Sequence, residues 1–467
     1  MLTRKSFTYS ASAVLIAMLA GAPAAAQSQA ISLQQAMQRA LEHNPDLRLA
    51  TLGVDGANAA VTIAGAPPNP VLTLQSFNIN PNAGVGAGNL RSKTVDSAVR
   101  VDQLIERGGK RELRLENAGS LAEASVSDLR ETRRQVRLLV GQAYYDLLAA
   151  DSKLAITRES AQLFDGTVAA AQKRQQAGDL APADVARAQV DALRAHNDVL
   201  QAESDLFLAR QTLALLMGQP TEAAQLTAAD NWPSASLPAP GDAAIAAAAA
   251  QLRAGGSNAA YASAATAGVS AAANGGTNDG TNISDTALEQ RPDVLAAQAR
   301  FDAAQAARKL ALASRSADVT VGLQFEHYPT SITNTQGSGN SFGIAVQIPL
   351  FVRYAYQGEV RAADVALDVA RENLHQARTA AHSDLELSQE RVRSAGERLR
   401  RYDDELLAAA RKSADAAEFA FQRGALGIMD LLDVRRTWRS TQLEALAARA
   451  DYAKSLVALQ AAMSEEK

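Results

Sequence analysis

No cysteine occurs in the 467 residues. That excludes disulfides, thiolate metal sites, a cysteine nucleophile and a thioether-linked lipid anchor. Aromatic residues are scarce, at 4%, and much of the 47% hydrophobic content is alanine. Alanine forms helix well but buries little area, so a thick aromatic-filled core is excluded and a long helical structure fits better. No excess of positive charge is present: 46 Lys and Arg face 50 Asp and Glu, a net of −4. A protein that reads nucleic acid would carry a basic domain, and no nucleic-acid partner is expected. Beyond the first thirty residues no apolar run is long enough for a membrane-spanning helix.

What is present begins with Arg4-Lys5, an apolar run through Val14, Leu15, Ile16, Met18 and Leu19, and Ala24-Ala25-Ala26 before Gln27. A basic start, a short apolar run and a small-residue site make a secretory signal peptide, residues 1–26, cleaved after Ala26. A membrane anchor would need about 20 apolar residues.

The remainder reads as one pattern written twice, at an offset of about 247 residues. Asn44-Pro45-Asp46-Leu47 answers to Arg291-Pro292-Asp293-Val294, and Ala98-Val99-Arg100-Val101 to Ala345-Val346-Gln347-Ile348. Gly178-Asp179-Leu180 with Asp184-Val185 answers to Gly424-Ala425-Leu426 with Asp430-Leu431. The first repeat is placed at 27–220 and the second at 285–467. Between them, 221–284 is rich in Ala, Gly, Asn and Ser and reads as a linker or equatorial region in which no chemistry is expected. A short helix near Ile245–Arg253 is compatible with its alanine run.

Each repeat opens on capping-box spacing, Ser32-x-x-Gln35 and Thr286-x-x-Glu289, and breaks at Asn44-Pro45 or Arg291-Pro292, where proline starts a second helix. Period-two alternation follows, clearest in Val319–Glu326 and Phe342–Ile348, and gives hairpins at 70–105 and 318–351, hence four strands with one apolar and one polar face each. Long helices follow at 110–177 and 357–423. Val136, Val140, Ala143, Leu147, Ala150 and Leu154 are spaced by four and three, a left-handed supercoil period. A helix of about 67 residues reaches on the order of 100 Å. Each ends at a tip, 178–184 or 424–430, and returns as a helix over 184–217 or 430–463. Four strands with an apolar face leave two unpaired edges, which a membrane does not tolerate. Three copies would close twelve strands into a barrel, with the long helices as a tube beneath it.

The signal peptide, the duplicated helix–hairpin–long-helix plan and the two glycine turns resemble the TolC-type outer-membrane efflux proteins. Glu106-Arg107-Gly108-Gly109-Lys110-Arg111 with Arg114, Glu326-His327-Tyr328-Pro329 and Ile348-Pro349-Leu350-Phe351 resemble the CzcC-like branch that serves heavy-metal efflux. The resemblance implies a mainly α fold with a small β part: a homotrimer with a twelve-stranded β-barrel in outer-membrane lipid, continuous with a periplasmic α-helical barrel. It implies a channel that docks to a periplasmic adaptor (membrane fusion protein) and an inner-membrane RND pump. The adaptor-docking tips would be Gly178, Asp179, Leu180 and Asp184, with Gly424, Ala425, Leu426 and Asp430. Plain helix-hairpin turns with no partner would look the same in sequence.

Asp430 and Asp433 stand three apart and share a helix face. The resemblance sets them at the constricted periplasmic entrance, where three copies would make an acidic ring favouring cations; a solvated acidic first turn is the plainer alternative. Asp184 matches a residue that helps lock the closed entrance in the family's type member. Phe421 stands where that lock has a tyrosine and Leu426 where it has an arginine, so the lock is not carried over in detail. Some relatives carry a lipidated cysteine after the signal peptide; this chain has none, so the barrel is expected to hold it in the membrane. His375 and His382, near Glu386, lie about 10.5 Å apart along one helix, too far to share an ion. No nucleophile elbow, P-loop or HExxH motif is present. No catalytic residue, cofactor or resident metal is therefore expected. A channel exporting organic compounds and a non-channel periplasmic coiled coil remain the alternatives.

Overall fold

A computed structural model describes residues 29–77, 79, 95–234, 288–330 and 337–463. The signal peptide, Thr286 and the helix considered near Ile245–Arg253 lie outside them. The first repeat runs β1 (Gln29–Ile31), α1 (Leu33–His43), α2 (Pro45–Gly65), β2 (Val71–Phe77), β3 (Asp96–Ile105), α3 (Lys110–Gln176) and α4 (Pro182–Leu216). A 3₁₀ turn (Pro220–Gln225) and β4 (Leu226–Ala228) follow. The second repeat runs α5 (Pro292–Ala313), β5 (Val319–Tyr328), β6 (Gly339–Gln347), α6 (Gln357–Arg401), a π-helical turn (Tyr402–Leu406), α7 (Leu407–Gln422) and α8 (Ile428–Met463).

The spine is α3, 67 residues long and so about 100 Å. Every residue of its expected apolar stripe, from Val136 to Leu154, is buried. It packs in turn against α2 and α5 near the sheet and against α4 and α8 towards the tip. Gly141 marks the closest approach to α8: a Cβ there would lie 2.5 Å from Val457 Cγ1, so only glycine permits the contact. At α1 the expected capping box is formed, with the Gln35 amide donating to Ser32 Oγ at 3.2 Å and the Ser32 amide to Gln35 Oε1 at 3.1 Å.

The described residues hold six strands rather than four. The additional pair, β1 and β4, is parallel, with Gln29 opposite Leu226 and Ile31 opposite Ala228. The start of the Ala- and Gly-rich stretch is thus part of the core. Leu226 and Tyr144 are fully buried, and Tyr144 donates its hydroxyl to Asp230 Oδ2 at 2.9 Å. Asp230 also accepts the Leu33 amide at 2.7 Å, and Trp232 stacks on Tyr145 at 6.1 Å. Burial, reinforced by Asp230, pushes the Tyr145 hydroxyl up to about 12. A handful of residues with partners is enough to order this segment, although its average composition reads as linker.

A second difference lies in the counterpart of α3. No single α-helix fills 357–423: α6 and α7 are separated by the π turn Tyr402–Leu406. Neither proline nor glycine announces it. Across the turn, Tyr402 donates its hydroxyl to Glu444 Oε2 at 3.3 Å and Asp403 accepts from Arg449 of α8 at 2.6 Å.

Candidate functional site

Two features stand at opposite ends of the long helices: a four-stranded sheet and a pair of helix tips. The sheet runs β2-β3-β5-β6, antiparallel throughout. Its registers sort side chains by chemistry. One face carries the rows Leu74–Val99–Phe325–Phe342 and Leu72–Val101–Leu323–Ile344, all exposed in the single chain. The other carries Thr73–Arg100–Gln324–Gly343 and Val71–Asp102–Gly322–Ala345. Arg100 and Asp102 pair at 2.8 Å in space that a side chain at Gly322 would fill, since a Cβ there would meet Asp102 Oδ1 at 2.3 Å. Strands of about ten residues with one apolar face match a bilayer span. The outer edges of β2 and β6 have no partner strand within the described residues.

The string from Glu106 to Arg114 joins this sheet to the spine. Gly108 and Gly109 adopt positive φ, and a Cβ on Gly108 would lie 3.0 Å from Ser316. Lys110 reaches Asp318 Oδ1 at 2.8 Å, the Arg107 amide donates to the same oxygen at 3.0 Å, and Arg111 donates to the Gly65 carbonyl at 2.6 Å. Arg114 grips both oxygens of Glu106, and that hydrogen bond holds the Glu106 carboxyl below its ordinary range. Burial works to raise Asp318, but Lys110 and the Arg107 amide outweigh it and hold that carboxyl low as well. What reads as a family string in sequence is, physically, the stitch between β3, α3, β5 and the end of α2.

At the far end, the two tips are built alike. Gly178 has φ +86 and Gly424 φ +75, both in open space. Gly178 N donates to Gln175 O at 3.0 Å and Asp179 N to Arg174 O at 2.9 Å; Gly424 N donates to Phe421 O at 3.1 Å and Ala425 N to Ala420 O at 2.9 Å. Each is a Schellman motif, which satisfies the last carbonyls of a helix and needs a residue that accepts left-handed φ. Asp179 and Ala425 occupy equivalent exposed positions, while Leu180 and Leu426 are half-buried against the apolar cluster of Phe164, Val185, Phe421, Leu431 and Leu432. Asp184 lies 3.8 Å from Arg187. Asp430 and Asp433 are exposed on the first turns of α8.

Phe421 is buried at 5% exposure. The Arg174 guanidinium sits 4.3 Å from the centre of its ring, a cation–π contact, and donates to its carbonyl at 2.6 Å. Residues that sequence reasoning missed add to this. Arg435 of α8 reaches Thr167 of α3 and Glu418 of α7, and Arg436 meets the buried Asp191 of α4 at 2.5 Å. Thr167 and Asp191 lie hundreds of residues away in sequence and Glu418 on the preceding helix, and no local pattern marks these pairs.

Among the described residues, no group of three or more His, Asp or Glu side chains could hold a metal ion, and no helix is long and apolar enough to cross a membrane.

Comparison with known proteins agrees with this architecture. The family model described as outer membrane efflux protein matches residues 36–219 and 283–465, two blocks that coincide with the duplication. The cobalt-zinc-cadmium resistance protein CzcC of Cupriavidus metallidurans is 24% identical over 410 residues, 87% of this chain and 84% of that protein. Among solved structures, the CmeC outer membrane channel of Campylobacter jejuni superimposes with a TM-score of 0.71 at 15% identity, over 92% of this chain and 85% of that one. The outer membrane protein VceC of Vibrio cholerae does so at 0.68 and 18% identity, over 92% and 95%. With a mainly helical, duplicated protomer carrying a four-stranded sheet at one end of the long helices, the chain belongs to the outer membrane efflux protein family, whose members are channels rather than enzymes.

Proposed function

We propose that three copies of this chain close the outer-membrane channel of a tripartite efflux system that exports heavy-metal cations. The observation that carries the reading is the sheet: an apolar face, a polar face and two edges without a partner strand among the described residues. Closure by two further copies gives twelve strands, the even number of a sealed barrel with its polar face inward. The long helices then form the wall of a periplasmic tunnel. Gly178, Asp179, Leu180 and Asp184, with Gly424, Ala425, Leu426 and Asp430, form the tips that meet a periplasmic adaptor and, through it, an inner-membrane RND pump. Metal cargo is favoured by two things. One is the similarity to a protein named for cobalt, zinc and cadmium resistance. The other is the exposed pair Asp430 and Asp433, which in three copies places six carboxylates around the tunnel mouth.

The cargo is tested by deleting the gene and comparing growth on zinc, cobalt, cadmium, nickel, copper and silver with growth on solvents and antibiotics. Sensitisation to metals is expected; sensitisation to organic compounds alone would overturn the metal assignment. For the entrance, the purified channel in a planar bilayer is expected to be blocked by di- and trivalent cations, with block weakened in the Asp430→Ala, Asp433→Ala double variant. Unchanged block would remove the carboxylates from the entrance.

A further inference from the structure

The apolar stripe of β6 does not stop where the strand stops. Phe342, Ile344 and Val346 point to one face, and the alternation continues past Gln347 through Ile348, Leu350 and Val352, every one of them exposed. Leu350 and Val352 are 80% and 86% exposed, the highest exposures of any large aliphatic side chains described. After them come Arg353, Tyr354 and Tyr356, immediately before α6.

This segment has a defined shape. The Val352 amide donates to the Leu350 carbonyl at 3.0 Å, and Phe351 meets Tyr356 edge-to-face at 5.2 Å. Tyr354 donates its hydroxyl to Glu359 Oε2 at 2.6 Å and accepts the Gly358 amide at 2.9 Å. Tyr356 holds φ +58, the one non-glycine residue with positive φ among those described. Such a conformation costs free energy for a bulky residue and persists where its surroundings hold it. A loop fixed in this way, with its aliphatic side chains pointing outward, is presenting them to something.

We propose that Ile348–Tyr356 is a collar that inserts into the periplasmic leaflet of the outer membrane, its partner being the phospholipid at the acyl–headgroup boundary. This rests on the barrel reading above, which assigns the Phe342–Ile344–Val346 face to lipid; the collar follows that face directly in the chain and turns at Phe351. Its chemistry is graded as the boundary is graded. Aliphatic Leu350 and Val352 suit the acyl margin. Tyr354 and Tyr356, with apolar rings and polar ends, suit the headgroup level. Arg353 offers a cation to lipid phosphate. The equivalent junction of the first repeat differs: it too has exposed aliphatics, Leu104 and Ile105, and a positive-φ residue, Gly109, before its helix, but it carries no tyrosine and passes directly into Glu106-Arg107-Gly108-Gly109-Lys110, which is charged and bonded to its own chain. The collar therefore occurs once per chain, three times around a closed barrel.

The absence of cysteine makes the test direct, because one introduced thiol is the only one to label. Leu350→Cys and Val352→Cys would be spin-labelled in the full chain, reconstituted in phospholipid vesicles, and probed with oxygen (which concentrates in acyl chains) against a water-soluble nickel chelate. Ile344→Cys serves as the lipid-facing reference, with Ala345→Cys on the polar face and Glu372→Cys on α6 as the aqueous ones. Both side chains are almost free of contacts in the protomer, so folding is preserved, and assembly is read in the same samples as SDS-resistant oligomer. The expected result is an oxygen-to-nickel ratio at 350 and 352 several-fold above that at 372, at or somewhat below that at 344. If 344 is itself water-accessible, the barrel reading fails. If 344 lies in lipid while 350 and 352 match 372, or are shielded from both probes by a neighbouring chain, the collar is overturned and the barrel stands.

Discussion

Each repeat must carry the chain from the sheet to a tip, and the two do so with different helices. In the first, one α-helix of 67 residues covers the distance. In the second, 45 residues of α6, a π turn and 16 residues of α7 do the same. Yet both end in a Schellman motif closed by a glycine of positive φ, and both begin from strands of the same antiparallel sheet, β3 and β6. The repeats agree at the sheet and at the tips, and have drifted along the helices that join them. The entry to the second helix shows the same drift. Asn44 caps α2, accepting the Asp46 amide at 2.8 Å and donating to the Leu216 carbonyl at 2.8 Å. Its counterpart Arg291 makes no side-chain cap. It is instead 2% exposed and bonded to Asp293 at 2.7 Å and Asp384 at 3.3 Å.

That contrast is broken most severely at Arg291. Breaking a buried ion pair by removing one partner strands the others, at a cost of about 3–5 kcal/mol; because Asp384 is more than half exposed, about 3 kcal/mol is expected for Arg291→Ala. Asn44→Ala loses one cap and leaves the Leu216 carbonyl without its donor, about 2 kcal/mol. The temperature at which the SDS-resistant oligomer dissociates should therefore fall further for Arg291→Ala. Equal losses would mean that the two residues are interchangeable caps. Placing arginine at 44 should not rescue stability, since it would need acidic partners like Asp293 and Asp384.

The same contrast explains what was readable in the sequence. Regular, repeated features were legible: the strand alternation, the heptad stripe on α3, the capping box at Ser32 and the glycines at both tips follow from local rules. The β1–β4 pair was not, because three residues at the start of the first repeat find a partner in three residues of an alanine-rich stretch. The π turn was hidden because Tyr402-Asp403-Asp404-Glu405-Leu406 contains no helix breaker and its bonds go to Glu444 and Arg449 of α8. At the tips, Gly178 and Gly424 announced themselves, whereas Arg174 over Phe421 joins residues 247 apart in sequence. Sequence position alone says nothing of such contacts.

If the tips are equivalent in function as they are in geometry, substitution at either should have the same effect. A β-branched residue at positive φ costs about 1–2 kcal/mol, and nothing lies within 4 Å of a Cβ at either glycine, so the strain stays local. Gly178→Val and Gly424→Val are each expected to impair export in a growth assay while the oligomer still assembles. Impairment at one tip only would mean that the duplication is symmetric in shape but not in docking, and normal export in both would remove the docking assignment.

The smallest effect is expected at the junctions between sheet and spine, where the repeats differ in chemistry. The first is held by carboxylates: Glu106 on Arg114, and Asp318 on Lys110 and the Arg107 amide. Both carboxyls are held below their ordinary range. A carboxylate with a depressed folded pKa stabilises the fold above its unfolded value, about 4, and loses that contribution as pH falls through the lower folded value. The first junction should therefore be insensitive between pH 7 and 5 and loosen below about 4. Hydrogen exchange at the Arg107 amide, corrected for the intrinsic rate at each pH, reads this directly, because that amide donates to Asp318. Glu106→Gln should retain a neutral acceptor for Arg114 and flatten the acid dependence, at a small stability cost at pH 7. The amide of Val352 in the second junction donates to a backbone carbonyl and has no carboxylate to lose, so its protection should change less over the same range. If the two amides responded alike, the charged stitch of the first repeat would be decoration, and the close approach of Gly108 to Ser316 would be what joins sheet to spine.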